Sequence, residues 1–180
     1  MLDSGQLLLA EPFLLDPNFQ RSAVAVVDRH DEGTVGFVLS QPLDLRVSQL
    51  LRDVPDFEAA VANGGPVQRD TLHFLHTLGP LIDDAIHVAD DLYWGGDFAR
   101  LTFLLAEGLA DEHTVKFFLG YSGWSPGQLE EELAEGTWVV GDLTEDLIFE
   151  TPAEQVWSKA MARLSSTHSV IGTMQAMALN

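Results

Sequence analysis

Ser122 stands where a side chain could do chemistry, in the run Gly120-Tyr121-Ser122-Gly123-Trp124. A nucleophile elbow sets glycine two residues before and two after its serine, so that a strand turns sharply into a helix and lifts the hydroxyl clear. Gly120 meets the first requirement and Trp124 breaks the second. A β-rich run precedes Ser122, a helix start follows near Ser125, and six histidines elsewhere could serve as general bases. The expectation is a structural place in a tight strand-to-helix turn, with a hydrolase built on Ser122 as the alternative. His73 and His76 have metal-like spacing only on a helix; on a strand, residues three apart point to opposite faces, so at most one of them serves a site. His76 with Asp83, Asp84, Asp90, Asp91 and Asp97 could support a metal-assisted enzyme using zinc or manganese. No ligand motif organises these residues, a solvated acidic loop is the default, and no metal or cofactor is assigned.

Gly64-Gly65-Pro66 could offer backbone amides to a phosphate, yet no lysine follows and no helix clearly begins there, so a turn is the better reading. Asp16 and Arg21 flank Phe19 and are expected to form a fixed salt bridge, or else to line a cleft beside His76. Trp94, Trp124, Trp138 and Trp157 read as core or core-edge residues, with Trp94 beside Gly95-Gly96 as a possible partner anchor. The candidate binding surface is therefore Asp16, Arg21, Gly64, Gly65, Pro66, His76, Ser122 and Trp124.

The elements that must position these residues are set by local pattern. Gly5 to Ala10, Ser22 to Val27 and Thr34 to Leu39 are short apolar runs that suit strands, and the turn residues 28–33 make the last two a hairpin. Pro42 ends the second arm, and 47–51 and 56–61 look like short helices. Thr71 to Thr77, Ala85 to Val88, Thr114 to Leu119 and Thr137 to Val140 read as further strands. Asp97 to Glu107 reads as a helix with Phe98, Leu101 and Leu105 on one face and Gly108 beyond its end. Ser125, Pro126 and Gln128 punctuate a second helix, with Leu129 and Leu133 inward and several glutamates around them. Thr151 and Glu154 begin a third, with Val156, Trp157, Ala160 and Leu164 as its apolar stripe, and the chain from Ser165 is expected to end irregularly. Strands crowd the first half without regular strand-helix alternation, which predicts α+β with a mixed sheet in a single domain over 1–180.

Composition narrows the partners. The formal charge is -19, from 28 Asp and Glu against 9 Lys and Arg. Nucleic acid is gripped by clustered Lys and Arg that displace counterions, and the basic residues here are scattered, so direct DNA or RNA binding is disfavoured. An anionic bilayer would repel the chain, whereas a basic protein or a cation would be drawn to it. Solubility, or adaptation to a salty or acid-biased proteome, explains the charge without any partner. Cysteine is absent, which excludes disulfides and thiolate catalysis and fits the cytoplasm. The amino terminus lacks a basic region ahead of an apolar run, and no stretch approaches the ~18 apolar residues of a spanning helix, so neither secretion nor a membrane span is expected.

An ordered set of motifs extends over residues 5 to about 160. It starts with GQLLLAEPFLLDPNFQRSAVAVV, carrying Asp16, Phe19, Arg21 and Ser22. Gly33-Thr-Val-Gly36-Phe-Val-Leu-Ser-Gln-Pro42-Leu43 and Gly64-Gly65-Pro66-Val67 follow, the latter leading to Leu75-His76-Thr77. Gly120-Tyr-Ser122-Gly-Trp124, Gly127-Gln128-Leu129-Glu130, Asp146-Leu-Ile-Phe149 and Trp157 complete it. In this the chain resembles the YqgE/AlgH family of bacterial proteins, departing at Ser40-Gln41, where Asn and a basic residue are usual, and at Thr34, where Ala is usual. If the Asn-basic pair binds an anion, this chain has lost that contact. The resemblance implies a compact domain with a mixed, partly barrel-like β-sheet flanked by helices, and it carries over no catalytic residue, cofactor or operator.

Family members are often labelled transcriptional regulators, and the charge argues against direct DNA binding. The reading that results is a soluble, non-enzymatic binding or regulatory protein acting through a basic protein partner or a small ligand. The alternatives are a hydrolase or metal-assisted enzyme using Ser122 or His76, and a transcriptional regulator without strong direct DNA contact.

Overall fold

Apolar runs such as Ala23-Val-Ala-Val-Val27 are continuous rather than alternating because both faces of the strands they form are covered. The computed structural model describes residues 2–178 apart from 53, 55, 56 and 58, with side chains described through residue 166. Its strands are β1 (Gln6–Ala10), β2 (Ala23–His30), β3 (Gly33–Val38), β4 (Pro42–Arg46), β5 (Ala60–Asn63), β6 (Val67–His76), β7 (Ile86–Ala89), β8 (Leu92–Trp94), β9 (Val115–Trp124) and β10 (Trp138–Asp142). The helices are α1 (Val47–Leu50), α2 (Phe98–Ala106), α3 (Gln128–Ala134) and α4 (Ala153–Ala178), with a π-helical turn over Asp146–Glu150. The sheet runs β10-β1-β2-β3-β9-β6-β8-β7, while β5 pairs with β9 and β4 with β5. Pairing is antiparallel except between β5 and β9, so the sheet is mixed, and it is not closed into a barrel.

β9 organises this sheet. One edge carries β6, with Phe74 opposite Phe117 and His76 opposite Val115. The other edge is shared: β5 lies beside Phe117 to Leu119, and β3 beside Ser122 to Trp124. Side chains alternate across the strand, so Phe118 enters a core with Leu7, Leu9, Ala25 and Phe37 beneath α4, whereas Phe117 enters one with Phe74 beneath α2. A third cluster, Leu8, Val24, Val26, Trp124 and Trp138, lies beneath Leu129 of α3. Leu101 and Leu104 of α2 are fully buried, each worth roughly 1.5–3 kcal/mol relative to exposure.

The hairpin of β2 and β3 and the expected α+β class are present. Differences arise where tertiary pairing outweighs local signal. β9 runs through the glycine motif to Trp124, because β3 pairs with its last three residues, so Ser122 is inside a strand rather than on a strand-to-helix turn. The second arm ends at Val38, before Pro42, and Pro42 itself opens the short strand β4. Of the helix expected over 56–61, positions 56 and 58 lie outside the described residues, and Ala60 and Val61 belong to β5, recruited by Phe117. α4 continues to Ala178 instead of ending near Ser165. Gly127 is the N-cap of α3, and of the expected capping box the bond from Ser125 N to Gln128 Oε1 is formed, at 3.1 Å. Among the described residues no helix is long and apolar enough to cross a membrane.

Asp146 fastens the π-helical turn to α4. Its carboxylate accepts from Arg163 Nη1 at 3.1 Å and Nη2 at 2.6 Å, from Thr144 Oγ1 at 2.6 Å, and lies 3.0 Å from Lys159 Nζ. The Arg163 guanidinium, aided by Thr144 and Lys159, holds this carboxyl well below its ordinary value of 3.8. A depressed folded value means stability that is present above the unfolded value of 3.8 and is lost as pH falls below it toward the folded value. The side chain is 38% exposed, so solvent screening limits the effect. Asp146→Asn is expected to cost ~1 kcal/mol at neutral pH and to shrink the stability loss below pH ~4, measured by urea unfolding across that range.

Candidate functional site

Gly64, Gly65 and Ser122 meet at the centre of the sheet. Gly64 donates to Leu119 O at 2.8 Å, and its carbonyl accepts from Val38 N at 2.9 Å and from Ser122 Oγ at 3.1 Å. Ser122 is completely buried, and among the described residues no histidine is one of its hydrogen-bond partners. The approach is close enough to exclude side chains: a Cβ on Gly64 would stand 2.3 Å from Gly120 O. Gly120 in turn has φ +70°, and a Cβ there would come within 2.7 Å of Gly65 O. Pro66 is exposed just before β6, and the Gly65 N–H that could have met a phosphate donates instead to Asn63 Oδ1 at 3.2 Å. The glycine-proline run is thus the turn its composition suggested, buttressed by Asn63, whose Nδ2 donates to Gln41 Oε1 at 3.0 Å. Gln41 also donates to Asn18 O at 2.6 Å.

His76 is elsewhere. It faces Val115, seven residues along β9 from Ser122, a separation of roughly 20 Å at ~3.3 Å per residue. Its ring is fully buried: Nδ1 accepts from Leu78 N at 3.2 Å, so Nε2 carries the proton and donates to Gly95 O at 2.8 Å. Burial pushes its pKa down, which agrees with a neutral ring. With Nδ1 accepting and Nε2 donating, neither nitrogen is free for a metal or a substrate proton. His73 packs its ring among Phe37, Trp94 and Tyr121, with Nε2 buried and unpartnered. Trp94 is held in that cluster, 5.7 Å from Phe37, rather than projecting as an anchor.

Asp16 and Arg21 do not pair with each other. Asp16 Oδ1 accepts from Asn18 N at 2.8 Å and shapes the loop, while Arg21, at φ +50°, lays its guanidinium 4.7 Å from the Trp157 ring. No contact of theirs forms a cleft beside His76, because the loop after β1 is at the β10 end of the sheet. Trp124 is buried beside Phe19 and Trp138, and both indole N–H groups donate to Glu132 Oε2, at 2.9 and 2.7 Å. Glu132 was concealed in a run of exposed glutamates; the signal was two tryptophans that each need an acceptor once buried. Lys116, a lone cation within the apolar run Val115 to Leu119, is a second residue whose context marked it.

The candidate residues therefore divide between a sheet-centre junction and separate structural posts. Gly64→Ala is expected to lower stability by ~3 kcal/mol or more, since the new methyl meets the Gly120 carbonyl oxygen on one side and the buried Phe37 ring on the other. Ser122→Ala is expected to cost only ~1 kcal/mol, since Gly64 O keeps its Val38 bond. Urea unfolding midpoints of the two variants check the order.

Comparison with known proteins follows the same lines. A UPF0301 protein of Chlorobium limicola is 38% identical over 170 residues, covering 94% of this chain and 91% of that one. A UPF0301 protein of Chlorobaculum tepidum is 41% identical over 161 residues, covering 89% and 86%. The solution structure of the AlgH protein from Pseudomonas aeruginosa matches with TM-score 0.73 and 30% identity, covering 89% of this chain and 87% of that chain. A crystal structure of a protein from Corynebacterium diphtheriae shares the fold, with TM-score 0.75 at 22% identity and coverage of 91% and 87%. The AlgH-like family model matches residues 7–169, and the chain belongs to that family.

Proposed function

We propose that this chain is a non-enzymatic binding protein of the cytoplasm that docks a basic protein on the β10 end of its sheet. The observation that carries this reading is the loop between β1 and β2. Phe13 and Leu15 project from it with 84% and 85% of their surface exposed, while Leu14 and Phe19 are packed into the Trp124–Trp138 cluster. Leu133 of α3 packs into the same cluster, which brings the exposed Glu131 and Glu135 to the neighbourhood of the two apolar side chains, while Glu130 beside them is paired with Arg29. Apolar anchors ringed by one sign of charge favour a partner of opposite charge, and a chain of net charge -19 speeds encounter with it. The residues first singled out for chemistry support the non-enzymatic part: Ser122 and His76 spend their hydrogen bonds on backbone groups. The same charge weighs against a grip on DNA, so a part in transcription would run through the protein partner.

Capture on the immobilised chain from lysate of its own species, at low salt, tests this. A basic protein is expected to be retained, to elute as salt rises, and to bind ~10–100-fold more weakly to Glu131→Lys/Glu135→Lys and to Phe13→Ser/Leu15→Ser. These positions are exposed, so each variant is expected to keep its unfolding midpoint. Undiminished retention by both variants, or retention that salt leaves unchanged, overturns the reading.

A further inference from the structure

Lys116 is the second residue of β9, at a position where a hydrocarbon side chain would be the economical choice. It is half-buried, cross-strand from the fully buried Leu75, and flanked in sequence by buried Val115 and Phe117. Among the described residues its Nζ has no hydrogen bond and no ion pair. Removing an ammonium from water without an acceptor is costly, and that desolvation pushes its pKa below the ordinary value, with Glu154 opposing the shift electrostatically. Glu154 is exposed and likewise forms no ion pair among the described residues, so a cation and a carboxylate border the same space unjoined.

That space is a cleft. A hollow of about 310 Å³ is bordered by Ala60 of β5, Lys116, Phe149 of the π-helical turn, and Pro152 and Glu154 at the start of α4. It adjoins a second of about 370 Å³ through the shared residues Ala60, Lys116 and Phe149. Glu150 also borders the first hollow, but it already takes His113 Nδ1 at 3.0 Å. The cleft therefore presents a cation, apolar carbon from Ala60 and Phe149, and the exposed carboxylate of Glu154.

A simple anion entering would be repelled by Glu150 and Glu154, and a simple cation by Lys116. A molecule with both charges meets each of them with its opposite. We infer that this cleft binds a small zwitterion of the α-amino-acid type, with its carboxylate on Lys116 Nζ, its ammonium on Glu154 and its side chain against Phe149.

L-norleucine, hexanoate and pentylamine separate the contributions, since the last two each keep the apolar chain and one of the two charges. Backbone amide NMR titration of the full chain is expected to show saturable shifts at Ala60, Lys116 and Phe149 with norleucine, and about tenfold or weaker binding of the other two probes. Lys116→Met, which replaces the ammonium by apolar bulk, is expected to abolish the norleucine response. Glu154→Gln, at an exposed site with no effect on folding expected, is to weaken norleucine about tenfold. The inference is overturned if norleucine gives no saturable shift, if hexanoate binds as well as norleucine, or if Glu154→Gln or a folded Lys116→Met binds norleucine like the wild type.

Discussion

The carbonyl oxygen of Gly64 accepts from the Val38 amide at 2.9 Å and the Ser122 hydroxyl at 3.1 Å, while the Gly64 amide donates to Leu119 O at 2.8 Å. Through these bonds one residue links β3, β9 and the bend between β5 and β6. β9 can hold β5 and β3 on the same edge only if the chain leaving β5 crosses it closely, and the crossing leaves no room for a Cβ on Gly64 or Gly120. The buried hydroxyl of Ser122 fills the second lone pair of a carbonyl that water cannot reach. The run that resembles a nucleophile elbow is thus explained by backbone satisfaction, and the separation of Ser122 from His76 follows from the same strand, which carries them to opposite ends of one ladder.

Carboxylates in this chain serve three physical purposes despite their uniform look in the sequence. Glu132 is drawn inward by two indole donors and ties α3 to the sheet. Asp146 collects Thr144, Lys159 and Arg163 and so couples the π-helical turn to α4. Glu131 and Glu135 remain on the surface and contribute to its potential, whereas Glu130 is paired with Arg29. Because the first two are spent on internal contacts, the outward field is the work of residues that the fold does not need, and these can be altered without disturbing the core.

Much of the fold was legible because local pattern and tertiary environment agree. The apolar runs of β1, β2 and β3, the turn between the last two, the α2 helix with its buried Leu101 and Leu105, and the buried stripe of Val156 and Ala160 all follow rules that act over a few residues. The failures share a cause. β4 and β5 are short, and β5 exists because Phe117 to Leu119 offers it a parallel edge, a pairing between residues more than fifty apart in sequence. The extension of β9 past Gly120 likewise depends on β3, and neither partner announces itself locally.

By itself the sequence determined the family, the α+β class, the acidic surface and the need for bends at Gly64-Gly65 and near Gly120, because these rest on residue identity, order and charge. Only the tertiary structure decided that Asp16 and Arg21 turn to different partners, that His76 has no free lone pair, that Glu132 faces inward, and that Lys116 lines a cleft opposite Glu154. The reason is that a polar side chain acquires a role from the donors, acceptors and solvent around it, and those neighbours are brought together by strand pairing across the whole chain rather than by adjacent residues.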